Sequence, residues 1–189
     1  GLGIFLSILS VVMMALAANW LAAVLLAAAN LYYVFIYTLW LKPRTPQNIV
    51  IGGAAGAFPP VIGWAAVTGG IDMLPLILFA IIFMWTPPHF WALALFSHED
   101  YERAGLPMLP NVAGATATKK QMLVYTLLLA PLAMTPWFLG YAGALYGGIA
   151  GILSALFVIA AVRVMQAWSH KAAKVMFGYS VFYLFALFL

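Results

Sequence analysis

Charge is almost absent from the long apolar stretches of this chain, and that scarcity decides its solvent. Only 6% of the 189 residues are charged and 67% are hydrophobic, whereas a soluble domain carries about 25% charged residues. The mean hydropathy is +1.09. A length that would suit one or two soluble domains therefore describes a lipid-embedded helical bundle, each span needing about 20 apolar residues. The expected surroundings are a bilayer and not a nucleic acid. Cysteine is missing altogether, which excludes a thiolate-held iron–sulfur cluster, a cysteine zinc site and a C-x-x-C-H haem attachment.

Seven apolar stretches are expected as spans, at about 2–18, 20–41, 49–68, 73–96, 122–141, 144–168 and 175–189. Asn19, Lys42–Asn48, Gly69–Asp72, the long segment Ser97–Gln121, a Tyr-Ala-Gly turn near 142 and Ser169–Lys174 separate them. If alternate connections share a side, Lys42, Arg44, Arg103, Lys119, Lys120, Lys171 and Lys174 fall together, with Arg163 about a turn away. The opposite connections carry no basic residue and one acid, Asp72. Such asymmetry sets 42–48, 97–121 and 169–174 on the cytoplasmic side of a cell membrane. Gly1 opens inside an apolar run and Leu189 follows soon after Lys174, so the expectation is a single transmembrane domain truncated at both ends.

Some features read as structure alone. Gly52 with Gly56, and Gly143 with Gly147 and Gly151, form small-residue stripes suited to close helix contact. Trp20, Trp40, Trp64, Trp137 and Trp168 lie near span ends as interface anchors.

Polar or interrupted segments inside a membrane are expensive and mark candidate sites. Lys42-Pro43-Arg44-Thr45-Pro46-Gln47-Asn48 stops one helix and leads to Pro59-Pro60 in mid-span, where freed carbonyls need partners. The plainer reading is a positive anchor followed by a kinked helix. Trp85-Thr86-Pro87-Pro88-His89-Phe90-Trp91 sets a histidine after a double proline that opens the hydrogen-bond ladder. That imidazole either packs in the core or ligates haem iron, holds a propionate or relays a proton. Glu99, Asp100 and Glu102, three of the chain's four carboxylates, follow at the end of the same helix. They form either a solvated turn or oxygen donors for Mg²⁺ shared with a substrate phosphate.

Two of these stretches carry a family resemblance. Thr45-Pro-Gln-Asn-Ile-Val-Ile-Gly-Gly-Ala-Ala-Gly-Ala-Phe-Pro-Pro-Val-Ile-Gly-Trp64-Ala-Ala-Val-Thr-Gly69 resembles the signature of protoheme farnesyltransferases, members of the UbiA-type superfamily of intramembrane prenyltransferases. Trp85-Thr-Pro-Pro-His-Phe-Trp-Ala-Leu-Ala-Leu95, followed by Asp100-Tyr-Glu-Arg-Ala-Gly-Leu-Pro-Met-Leu-Pro110, is similar to the second signature. The resemblance covers essentially the whole chain. It implies an all-α integral membrane bundle of the UbiA type, this chain holding about seven of nine transmembrane helices, from the third to the ninth. The implied activity is transfer of farnesyl from farnesyl diphosphate to a vinyl group of haem B, giving haem O for terminal oxidases.

By the same resemblance Ser97–Gln121 is the loop of the second acidic motif. Asp100 matches its first acid, while Ala104 stands four positions on, as the D-Y-x-x-A-G variant of this family has it. The first acidic motif lies between helices two and three of the family, ahead of Gly1, and 1–41 holds no charged side chain. Residues 1–189 alone are thus expected to be inactive. The implied roles are Asp100 and Glu99 for Mg²⁺, Asp100 and His89 for catalysis, and Lys42, Arg44, Asn48, Tyr101, Arg103, Lys119 and Lys120 for substrate binding. A straight helix sets Asp100 roughly 16 Å from His89, so His89 is assigned to haem rather than to diphosphate. Expected partners are farnesyl diphosphate, haem B, the bilayer, and a haem A synthase or oxidase-assembly machinery. Competing readings are a prenyltransferase with a quinone or chlorophyll-type acceptor, a secondary transporter using a midplane histidine, and a structural membrane subunit.

Overall fold

The computed structural model describes residues 1–167 and 169–189, and among them every regular element is helical. In chain order these are α1 (Leu2–Ala17), α2 (Trp20–Leu31), a π-helical stretch (Tyr32–Leu41), α3 (Asn48–Ala57), α4 (Pro59–Thr68), α5 (Met73–Phe96), α6 (His98–Arg103), α7 (Leu109–Phe138), α8 (Ala144–Gln166) and α9 (Lys171–Leu187). Among the described residues five helical stretches are long and apolar enough to cross a membrane: Trp20–Leu41 (α2 with the π-helical stretch), Asn48–Thr68 (α3 with α4), Met73–Phe96, Leu109–Phe138 and Ala144–Gln166. The other two expected spans are helical but shorter, at 16 residues for α1 and 17 for α9.

Local chemistry explains the boundaries. Asn19 caps α2 by accepting from the Ala22 amide at 2.9 Å, and its own amide donates to the Ala65 carbonyl at 2.7 Å. The break between α3 and α4 falls at Phe58, and Pro59 and Pro60 occupy the first turn of α4, where a missing N–H costs nothing. Gly69, in the left-handed conformation at φ 72°, ends α4.

Three expectations about the helices need correction. Double proline does not break α5, which continues through Pro87 and Pro88. Proline's φ is helical; what it removes is the amide donor, and packing against neighbours on several sides holds the span together. Ser97–Gln121 is not an open link, because α6 and most of a turn precede α7, whose only non-helical residue is Gly114 at φ 82° and ψ 163°. Lys119 and Lys120 therefore ride on a helix. The glycine stripes are also only partly contacts. A Cβ at Gly52 would enter the Tyr37 ring and one at Gly147 would enter the Trp137 ring, but Gly56 and Gly143 face open space.

Helix α5 is the hub, packing against α3, α4, α6, α7 and α9. On one flank, α5, α7, α8 and α9 enclose the main apolar core, with Trp91, Met122, Phe157, Met176 and Tyr183 essentially inaccessible. Buried polar bonds cross it: Ser154 and Tyr183 hydroxyls at 3.1 Å, Tyr179 donating to the Leu153 carbonyl at 2.8 Å and Tyr146 to the Ala133 carbonyl at 3.0 Å. On the other flank α3 and α4 pack on α5, and α2 and the π-helical stretch pack on α4 and α3 in turn.

Alternate connections do share an end. Ile49, Ala94 and Met108 form one small apolar cluster. The His98 and His170 rings lie 5.7 Å apart, Lys119 Nζ donates to the Ala167 carbonyl at 2.7 Å, and Lys174 sits 5.6 Å over the Phe96 ring. At the opposite end Asn19 reaches Ala65, and the Trp64 indole donates to Asp72 at 2.8 Å. Trp20 and Trp40 are exposed as anchors should be, Trp137 is covered in part by Gly147, and Trp168 lies outside the described residues.

Candidate active site

The two distinctive stretches, separated in sequence, face each other across a cavity of about 540 Å³. Gly52, Gly53, Gly56 and Pro59 come from the first stretch, Trp85, Thr86 and Phe90 from the second. The volume is in the ordinary range for a small-molecule site. Glycine makes the walls possible: Gly52 lies under the Tyr37 ring, and a Cβ at Gly53 would stand 3.0 Å from Thr86 Cγ2. Opposite them, Asn30, Tyr33 and Tyr37 line the cavity from α2 and its π-helical continuation. Tyr32 donates to the Ile51 carbonyl at 2.9 Å and so ties that continuation to α3. A π-helical run inside a span is uncommon and recurs at functional sites. Here it widens the helix where the cavity needs room.

The histidine after the double proline is not part of this lining. His89 is stacked between Trp85 at 4.3 Å and Phe177 at 4.7 Å, with Phe90 edge-on at 5.1 Å. Its Nδ1 lies 2.6 Å from Ser180 Oγ. Because that hydroxyl donates to the Phe177 carbonyl at 2.6 Å, it accepts from Nδ1–H, which leaves Nε2 as the basic nitrogen. Trp85 also donates to the Ser180 carbonyl, at 2.8 Å. His89 therefore holds a cavity wall in place, and direct contact with a ligand in this cavity falls to Trp85.

The acids gather on α6, which turns away from α5 at Ser97 (φ −118°, ψ 21°). Because of that bend, α6 does not continue the axis of α5. Asp100 accepts from Arg103 Nη2 at 3.0 Å, and Glu99 lies 3.8 Å from the same nitrogen, both pairs largely solvated. Such exposed pairs contribute little stability, so the acids are free to exchange Arg103 for another cation. Among the described residues no three acidic, histidine or cysteine side chains converge as a metal cage. The donor set suits Mg²⁺ held jointly by carboxylate and substrate phosphate, its usual mode. Tyr101 turns inward against Ile49, Ala94 and Met108. Burial first, and then the Asp100 carboxylate, raise its phenol above the ordinary range.

The remaining candidates divide. Asn48 is 1% exposed; its amide donates to the Thr45 carbonyl at 2.6 Å, while Oδ1 has no donor. An unmatched buried acceptor costs about 1–3 kcal/mol, and Asn48 adjoins Ile49, which lines the cavity. Lys42 is half-buried, whereas exposed Arg44 reaches the Leu39 and Trp40 carbonyls at 3.4 and 3.3 Å. Lys119 is directed elsewhere, to the α8 terminus and a second cavity of about 310 Å³ shared with His98 and His170. Lys120 is exposed. Sequence reasoning passed over Asn30, Tyr33, Tyr37 and Thr86. The first three recur at helical spacing, a polar stripe that marks one face of the span.

Similarity to known proteins agrees with this geometry. The model of the UbiA prenyltransferase family matches residues 1–187. A protoheme IX farnesyltransferase of Erythrobacter litoralis is 57% identical over 98% of this chain and 62% of the relative. That of Novosphingobium aromaticivorans is 58% identical over 95% of this chain and 60% of the relative. Protoheme IX farnesyltransferase 2 of Mesorhizobium japonicum is 55% identical over 98% and 60%. The chain thus spans about 60% of the length of these curated relatives. No solved structure matches it. With both distinctive stretches on one intramembrane cavity and the family model matching almost from end to end, the chain belongs to the UbiA prenyltransferase family.

Proposed function

We propose that this chain provides the prenyl-transfer site of an enzyme that moves farnesyl from farnesyl diphosphate to a vinyl carbon of haem B, giving haem O and diphosphate. The observation that carries the reading is the cavity shared by the two signature stretches; the names of the similar proteins supply the substrates. In the transfer the allylic C–O bond breaks, diphosphate leaves with the electron pair, and the vinyl carbon forms the new C–C bond. Water then adds to the resulting cation and loses a proton, which gives the hydroxyl.

Each part of the site has a task in that sequence. The apolar walls sheathe the isoprenoid and keep bulk water from the allylic cation. Tyr33, Tyr37 and Asn30 offer hydrogen bonds for the single water that is needed. Trp85, fixed by His89 and Ser180, gives the porphyrin a flat apolar face. Lys42, Arg44 and Arg103 sit at the acidic end and suit phosphate or propionate oxygens, as does the Asn48 amide, while Lys119 and Lys120 have a weaker claim. Asp100, with Glu99 and Tyr101 beside it, would hold Mg²⁺, which when bound neutralises charge on the departing diphosphate. The excess of Lys and Arg at that end supports a cytoplasmic setting for it. Haem A synthase or oxidase assembly would consume the product.

The test is product formation in membranes holding the protein expressed from its complete gene. With farnesyl diphosphate and haem B, mass spectrometry is expected to detect haem O and stoichiometric diphosphate. Prenylation of an aromatic quinone precursor in place of haem would overturn the acceptor, and vesicle uptake without diphosphate release would favour a transporter.

A further inference from the structure

A groove on the side of the bundle remote from the candidate active site has its own chemistry. Helices α8 and α9 enclose about 530 Å³ between Leu156, Ile159 and Val175 along the walls and Arg163, Lys171 and Ser169 at one end. Ile159 and Val175 are 47% and 59% exposed, so the walls face outward. Arg163 lies in the last turn of α8 and Lys171 opens α9, so both cations stand where the bundle leaves the hydrocarbon. No carboxylate lines the groove, and among the described residues the acids of α6 pair with Arg103 and not with Arg163 or Lys171.

Cations at the interface above an outward apolar slot match one class of molecule. We propose that this groove binds an anionic phospholipid, its phosphate between Arg163 and Lys171 with Ser169 as hydroxyl donor, and an acyl chain along Leu156, Ile159 and Val175. Two basic side chains at the interface attract an anionic headgroup, and the slot adds apolar contact that free phosphate lacks. A zwitterionic lipid brings the same chains with an ammonium that the cations repel. The inference is independent of the reaction proposed above, since none of these residues lines the 540 Å³ cavity.

Native mass spectrometry of the whole protein, released from nanodiscs of phosphatidylglycerol and phosphatidylcholine in equal parts, tests it. Retention of phosphatidylglycerol over phosphatidylcholine by tenfold or more is expected. Arg163→Gln with Lys171→Gln should abolish that preference. Val175→Trp, which obstructs the slot without changing charge, should lower retention of the anionic lipid severalfold. Lys174→Gln, one turn away and directed at Phe96, should leave both unchanged. Equal retention of the two lipids, loss of preference in Lys174→Gln alone, or no effect of Val175→Trp would overturn the proposal. So would displacement by millimolar inorganic phosphate, which would make this a bare anion site.

Discussion

The two flanks of α5 are built on opposite principles. Toward α7, α8 and α9 the interior is filled by large side chains and crossed by hydroxyl bonds from Ser154, Tyr146, Tyr179 and Tyr183. Toward α2, α3 and α4 it is hollow: glycines stand where side chains would fill it, a π-helical stretch widens one wall, and Asn48 keeps an unmatched acceptor. The difference separates stability from chemistry. A bundle that had to open its main core to admit a substrate would lose its fold, so the cavity lies where little packing is forfeited.

That division breaks most visibly by emptying the filled flank. Phe157→Ala should cost about 3–5 kcal/mol, the scale for deleting a buried aromatic ring, read as a fall in thermal midpoint in detergent. The folded fraction should keep its haem O output per molecule; a disproportionate loss of turnover would show that the flanks are not separable. Next in size, Asp100→Ala should lower haem O formation by roughly 10²-fold, as when a group stabilising transition-state charge is removed. Its thermal midpoint should not move, because the Arg103 pair is solvated. Near-normal output would remove Asp100 from the site.

Two smaller effects sharpen the boundary. Gly52→Ala should cost about 1–3 kcal/mol from overpacking against Tyr37, and Tyr37→Ala in the same protein should recover most of it. Absence of recovery would place the strain elsewhere. Ser180→Ala should cost about 1 kcal/mol for its lost hydrogen bond. By loosening His89, on which Trp85 stacks, it should raise KM for haem B while leaving that for farnesyl diphosphate unchanged. If neither KM moves, His89 and Ser180 only fasten α5 to α9.

Part of this division was legible in the sequence. Scarcity of charge gave the membrane, the one-sided Lys and Arg residues gave the shared end, and Pro59-Pro60 gave the break at Phe58. Parts of the two signature stretches line the cavity, but His89, the acids of α6 and the basic residues do not. Other features depend on tertiary surroundings. Pro87-Pro88 signals a broken helix, yet α5 continues because neighbours hold it. His89 looked like a ligand to haem, but whether an imidazole meets a cavity or two aromatic faces is set by α9, far along the chain. Lys119 carries a charge that suits an anion site, yet α7 directs it to the Ala167 carbonyl.

The most direct measurement pairs two identical substitutions on opposite flanks. Gly56 lines the cavity and Gly148 lies on the exposed face of α8, and a Cβ at either meets nothing within 4 Å. Haem O formation and thermal midpoint would be measured for Gly56→Leu and Gly148→Leu in the whole protein. The account predicts unchanged midpoints for both, activity lost by about 10²-fold in Gly56→Leu, the scale for displacing a substrate from its reactive geometry, and full activity in Gly148→Leu. Full turnover with the cavity occupied by a leucine at position 56 would contradict it.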